Sequence, residues 1–175
     1  MARMAIMSRL LSLLLLFSLV PVHAAEREIQ GKHLSVALNQ SHDSARPGAK
    51  VTLTAQIKLP PGMHVYAPAI EPPYKPIKLA IESPRGVKVS PVRYPEGKKL
   101  RLEAIDETVP VYEGIFTLEA DALISSAAKA GDAVINGSLN YQTCDDKLCY
   151  LPVTLPLSWT VKVTPQASGK TAPRK

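Results

Sequence analysis

The sequence predicts an all-β sandwich, and three observations predict it. Several well-separated segments alternate apolar and polar residues. Helix-period patterning is scarce. Proline is abundant, 16 in 175 residues, roughly twice the ordinary share. Period-2 alternation puts every second side chain on one face of an extended strand, which is how a half-buried strand is made. Proline removes a backbone donor and clashes with the preceding turn of a helix, so its density works against long helices.

The first 24 residues stand apart from this pattern. Arg3 and Arg9 give a positive start, and residues 10–20 form an apolar run. That run suits the core of a signal peptide and is shorter than the roughly 20 residues that span a bilayer. Val22-His23-Ala24 places a small residue at a cleavage position, so residues 1–24 are expected to be a cleaved signal peptide directing export to the periplasm. No cysteine lies near the cut, so no lipid anchor is expected. The domain is expected to occupy residues 25–163, followed by a polar, basic tail over 164–175 that reads as disordered.

Within the domain, short strands are expected at 34–38 and 77–81. Residues 51–59 alternate most cleanly, with Val51, Leu53, Ala55, Ile57 and Leu59 on one face. Residues 115–123 repeat the pattern less regularly. Ala133, Ile135, Gly137, Leu139 and Tyr141 alternate before the first cysteine, and Leu155, Leu157, Trp159, Val161 and Val163 after the second. Six prolines between positions 60 and 76 exclude a regular central strand there, so a long, stiff loop with short extended pieces is expected. The best helical candidate is residues 121–130, rich in Ala and Ser and closed by Gly131, with room for a turn or two. Alternating strands with turn signals and little helix point to a sandwich, for which an immunoglobulin-like arrangement is expected, with Trp159 in its core.

The formal net charge is +6, but Lys and Arg are scattered among Asp and Glu. Nucleic-acid binding calls for a clustered basic stripe interleaved with aromatics, and neither is present, so no nucleic-acid partner is expected. Neither a cofactor nor a metal site is expected: Met63, His64 and two cysteines make a thin set of soft ligands. A monomer is expected. His33 and His42 read as ordinary surface residues.

Chemistry concentrates in Tyr141-Gln142-Thr143-Cys144-Asp145-Asp146-Lys147-Leu148-Cys149-Tyr150. Disulfides persist in oxidising compartments, so two cysteines close in an exported chain most simply pair with each other. A strand enters and another leaves, placing the pair at a hairpin tip with Asp145 and Asp146 as turn formers. Closing so short a loop gives only about 2 kcal/mol by the chain-entropy estimate. A short bond near a turn is also easily reached by an attacking thiolate. Asp145 and Asp146 disfavour a nearby thiolate and Lys147 favours one. Spacing alone leaves a working redox pair and a local clip both open.

The segment Tyr141-Gln142-Thr143-Cys144 through Cys149-Tyr150-Leu151-Pro152 resembles the active-site hairpin of the N-terminal periplasmic domain of DsbD, the thiol-disulfide interchange protein. Gly62-Met63-His64-Val65-Tyr66-Ala67-Pro68 is similar to that family's Gly-x-x-x-Tyr strand, whose aromatics flank the cysteines. Pro95-Glu96-Gly97-Lys98-Lys99, with Asp106-Glu107 and Val111-Tyr112-Glu113-Gly114, resembles the stretch ending in the acidic cap loop. The resemblance runs over residues 30 to 163. It implies an immunoglobulin-like sandwich and a relay of electrons. The implied donor is a thioredoxin-like domain or a membrane electron transporter. The implied recipient is a periplasmic disulfide isomerase or a cytochrome c maturation thioredoxin. It implies that partners are joined at Cys149 and resolved by Cys144. It also implies that Tyr66, His64 and Tyr141 neighbour the pair, that Asp106 and Glu107 are acidic groups near it, and that Val109 and Pro110 lie in a shielding loop. The chain departs from the pattern at Thr108-Val109-Pro110, where the family's best-known cap carries an aromatic. The competing expectation is a non-catalytic periplasmic binding module with a structural disulfide.

Overall fold

Alternating segments become long paired strands, and the short ones between them build a third sheet. The structure is a computed structural model that describes residues 27–103 and 106–165. The expected signal peptide at 1–24, and all of the expected tail beyond residue 165, lie outside the described residues. The strands, in chain order, are β1 (Arg27–Gln30), β2 (Ser35–Gln40), β3 (Ser44–Ala45), β4 (Lys50–Lys58), β5 (His64–Tyr66), β6 (Lys78–Ile81) and β7 (Val87–Val89), then β8 (Lys98–Leu102), β9 (Glu107–Glu113), β10 (Ile115–Ile124), β11 (Gly131–Tyr141), β12 (Thr143–Cys144) and β13 (Val153–Val163). They form a five-stranded sheet in the order β1-β2-β4-β10-β7, a four-stranded sheet β3-β13-β11-β6, and a second four-stranded sheet β12-β5-β9-β8.

The first two sheets make the expected immunoglobulin-like sandwich. β4 pairs antiparallel with β10 so that Val51, Leu53 and Ala55 lie opposite Ala122, Ala120 and Leu118, and all six are buried. On the facing sheet, β11 pairs with β13, matching Ile135 to Trp159 and Leu139 to Leu155. Side chains from both sheets enter one core. Each large side chain buried there, such as Leu53, Ile57, Leu118 or Ile135, contributes about 1.5–3 kcal/mol of apolar burial. The Trp159 indole N–H donates to the Thr54 carbonyl at 3.2 Å, tying one sheet to the other. Gly137 is needed in β11 because a Cβ there would meet the Ala80 carbonyl at 2.8 Å and the Trp159 ring at 3.2 Å.

The third sheet is made of continuations of the sandwich strands: β5 follows β4, β9 precedes β10, and β12 follows β11. Gly114, at φ 63°, makes the bend between β9 and β10, a left-handed conformation that glycine enters without a Cβ clash. Two expectations are corrected. Residues 121–130 contain no helix: β10 runs on to Ile124, and a turn follows. Ala120, Ala122 and Ile124 alternate into the core, and that burial outweighs the local helix preference of Ala. Residues 107–113 form a strand, not a loop, because β5 and β8 pair with β9 from both sides. The proline-rich stretch from 60 to 76 is irregular apart from β5.

Replacing Gly137 with Ala drives a Cβ into backbone. Urea unfolding of this variant should show a loss of about 1–3 kcal/mol, and an unchanged midpoint would contradict the close approach.

Candidate functional site

The two cysteines lie on a turn that Asp145 organises. Its Oδ1 accepts the backbone N–H groups of Lys147 at 2.8 Å and Leu148 at 2.9 Å. Its Oδ2 accepts the Tyr150 hydroxyl at 2.9 Å. These bonds, the Leu148 and Lys147 amides foremost and then the Tyr150 hydroxyl, hold the Asp145 carboxyl below the usual carboxylate range. The same bond raises the Tyr150 hydroxyl. The Asp145 N–H donates to the Leu148 carbonyl at 3.0 Å and the Tyr150 N–H to the Thr143 carbonyl at 2.9 Å, closing the hairpin. Cys144 and Cys149 face each other as a bridge pair and are joined by a disulfide. Asp145 is thus occupied in holding the turn, and Asp146 and Lys147 are exposed.

Pairing then decides what surrounds the sulfurs. Thr143 lies opposite Val65 and Cys144 opposite His64. On the other side of β5, His64 lies opposite Glu113 and Tyr66 opposite Val111. Because strand side chains alternate between faces, Cys144, His64, Tyr66, Val111 and Val109 share one face of the third sheet. Val65 and Tyr112 point the other way, into the main core. Tyr66, Val109, Val111 and Cys144 form a second apolar cluster, with Ile70, Tyr74, Leu100 and Leu102 packed against it. Cys144 is 1% exposed, whereas Cys149 is exposed.

The sequence-derived site residues fall at different depths. Tyr66 is buried, and its hydroxyl lies 3.8 Å from the Cys149 sulfur. Burial, and then the charge of Glu107, push its hydroxyl pKa up. His64 is 4% exposed and edge-on to Tyr66, with ring centroids 5.7 Å apart. Glu107 accepts the Tyr74 hydroxyl, whose pKa this bond pushes up to about 12. The Tyr74 ring in turn lies 4.8 Å from that of Tyr66. Glu107 therefore joins the site through Tyr74. Asp106, at φ 56° in the β8–β9 turn, is paired with Arg101 on the exposed surface. The Tyr141 ring belongs to the main core, and its hydroxyl accepts the Lys32 N–H at 2.8 Å. Val109 and Pro110 lie in β9, and Val109 packs in the cluster that holds Cys144.

Tyr74 and Tyr150 were missed from the sequence. Tyr74 sits in the proline-rich loop, where no periodicity marks a buried face. Tyr150 adjoins Cys149, so its nearness was readable, but its bond to Asp145 was not. His33, read from the sequence as a surface residue, is half-buried, and its ring packs tilted against Tyr150 with centroids 4.2 Å apart.

Residues 35–158 match the protein-family model described as "Thiol:disulfide interchange protein DsbD, N-terminal". No curated protein sequence matches the chain. Among solved structures, the N-terminal periplasmic domain of ScsB from Proteus mirabilis has a TM-score of 0.53 at 13% identity, covering 78% of this chain and 50% of that one. This chain thus spans half the length of that structure, and the likeness is one of fold. The DsbD N-terminal domain from Neisseria meningitidis, in the reduced form, has a TM-score of 0.40 at 17% identity, covering 71% of this chain and 85% of that one.

Burial holds the His64 pKa below its ordinary value, against the opposing pull of Glu113 and then Asp145. The unfolded imidazole takes up a proton near pH 6.5, while the folded one waits for lower pH. The unfolded state then binds more protons, so stability falls as pH drops through about 6.5. His64→Leu should flatten that part of the curve without loss at neutral pH. Urea midpoints of the oxidised protein at about pH 7 and about pH 5 check this; parallel curves for both proteins would exclude it.

Proposed function

Because this chain belongs to the family of DsbD N-terminal domains, we propose that it is a periplasmic thiol–disulfide relay working through Cys144 and Cys149. The observation that carries this reading is the unequal exposure of the pair, Cys149 at the surface and Cys144 at 1%. A thiolate must reach a disulfide sulfur to exchange with it, so attack is directed to Cys149.

In the reducing direction, a thiolate of a donor dithiol attacks the Cys149 sulfur. The bond to Cys144 breaks, and its electron pair leaves on Cys144. The donor's second sulfur, losing its proton, attacks the first and releases Cys149. The donor departs as a disulfide, and two electrons remain on the cysteine pair. In the delivering direction, Cys149 attacks the recipient's disulfide and Cys144 resolves the mixed disulfide. The donor is a thioredoxin-like domain or a membrane electron transporter. The recipient is a periplasmic disulfide isomerase or a cytochrome c maturation thioredoxin. Exposed Leu148 and Leu151 flank Cys149 and offer apolar contact to such a protein. Tyr66 supports the exposed sulfur through its hydroxyl, and Glu107 holds Tyr66's neighbour Tyr74. Asp106 and Tyr141 have no step in this scheme. Residues 1–24 direct export and are removed, leaving the domain from residue 25 to 163 and its tail.

Cys144→Ala should trap a mixed disulfide when its Cys149 thiol attacks the disulfide form of a thioredoxin-like protein, one partner sulfur leaving as a thiol, visible on non-reducing gels, and Cys149→Ala should not. A bond that resists mild dithiols, with no trapped species, would defeat the relay. The periplasmic form should have the mass of a chain starting at Ala25, or at Glu26 if the cut falls after Ala25; an intact leader would remove the export proposal.

A further inference from the structure

Among the described residues, the Nε2 of His64 is a buried side-chain polar atom with no hydrogen-bond partner. An orphaned buried polar atom is costly to keep, so its retention in the middle of a sheet asks for a use. The nearest use lies directly across the strand pair. His64 stands opposite Cys144 in the antiparallel register of β5 and β12, where Cβ atoms are about 4.5–5.5 Å apart. In the disulfide, the Cys144 sulfur carries no proton to donate. Once the bond opens, Cys144 becomes a buried thiol opposite His64 in the strand register.

We propose that His64 is the general base for Cys144, accepting its thiol proton on Nε2 as Cys144 resolves a mixed disulfide at Cys149. The step rests on the relay reading above. A recipient, itself a disulfide, has been joined to Cys149. The Cys144 S–H bond breaks and the proton passes to Nε2. The Cys144 sulfur forms a bond to Cys149, and the bond from Cys149 to the recipient breaks. Its electron pair leaves on the recipient sulfur. The cysteine pair is oxidised, the recipient is reduced by two electrons, and the imidazolium gives its proton to water. Reversal of the same path returns a proton to departing Cys144 during reduction.

The surroundings suit a base. Groups facing His64 come from three elements: Cys144 and Asp145 from β12 and its turn, Glu113 from β9, and Tyr66 from its own strand. Burial lowers the imidazole pKa and keeps it unprotonated near neutrality, while Glu113 and Asp145 favour the imidazolium when it forms. The scheme requires the Nδ1–H tautomer.

The test uses the reduced full-length mature protein and one equivalent of a dithiobis(nitrobenzoate) reagent, which releases a coloured thiolate at each of two steps. Attack by Cys149 gives the first release, and resolution by Cys144 the second. His64→Gln should leave the first release within about twofold and slow the second at least about tenfold near neutral pH. The second release should level off with pH in the natural protein and climb through the thiol range in the variant. A second release as fast as in the natural protein, or equal slowing of both, would overturn the assignment. The natural protein supplies an independent reading: the nitrogen NMR resonance of His64 Nε2 should shift on reduction, as a vacant acceptor gains a thiol donor. An identical resonance in both redox states also overturns it. Should a His64-dependent second release persist while thioredoxin-like proteins fail to exchange, the relay reading falls and the base assignment stands.

Discussion

The antiparallel pairing of Thr143 and Cys144 with Val65 and His64 is the contact on which the rest of the site depends. It joins two segments far apart in the chain and sets which side chains share a face. Side chains in a strand alternate with period two, so a slip of one residue would turn Cys144 into the sandwich core and bring Thr143 out. In the register adopted, Thr143, Val65 and Tyr112 face inward. Cys144, His64, Tyr66 and Val111 face the other way. The cysteine pair therefore sits on a separate small sheet, built on the sandwich but packed around a cluster of its own.

That cluster gives the two sulfurs different surroundings although the residues are only five apart. Cys144 ends β12 and is covered by Val109, Val111 and Tyr66, whereas Cys149 lies past the turn and in the open. Asp145 makes this possible by accepting three hydrogen bonds within the turn. Its negative charge sits close to the pair yet is committed to the backbone. Around the exposed sulfur, a chain of aromatic and acidic groups runs from Tyr66 to Tyr74 to Glu107. These are weak contacts singly. Together they fix the ring whose hydroxyl approaches Cys149.

Much of the sandwich was legible because β4, β10, β11 and β13 are long and half-buried, so their alternation is uninterrupted. β10 shows where legibility stops. Its last residues are Ala-rich and look helical in isolation, but Ala120, Ala122 and Ile124 reach the core only if the strand continues. β9 was hidden by Pro110, which argues against a central strand. It forms nonetheless because Val109 and Val111 bury against Cys144 and Tyr66 while Tyr112 reaches the main core. At the site, the cysteine turn could be read from Asp145 next to Cys144. Tyr66 and His64 were placed beside the cysteine pair only through likeness to a family motif. Asp106 and Glu107 are adjacent in sequence yet diverge: one pairs with Arg101 on the surface, the other with Tyr74 beside the site.

By itself the sequence determined the strand class of the chain, the sheet face of its longest segments and the turn that brings Cys144 to Cys149. All of these follow from interactions within a few residues, either alternation or a side chain bonding its own backbone. Only the tertiary structure decided that one cysteine is buried and the other open, that β5 and β9 lie between two cores, and that among the described residues His64 has no partner for its inner nitrogen. Burial and pairing of three-residue strands depend on neighbours far away in the chain, and no local pattern encodes which neighbour arrives.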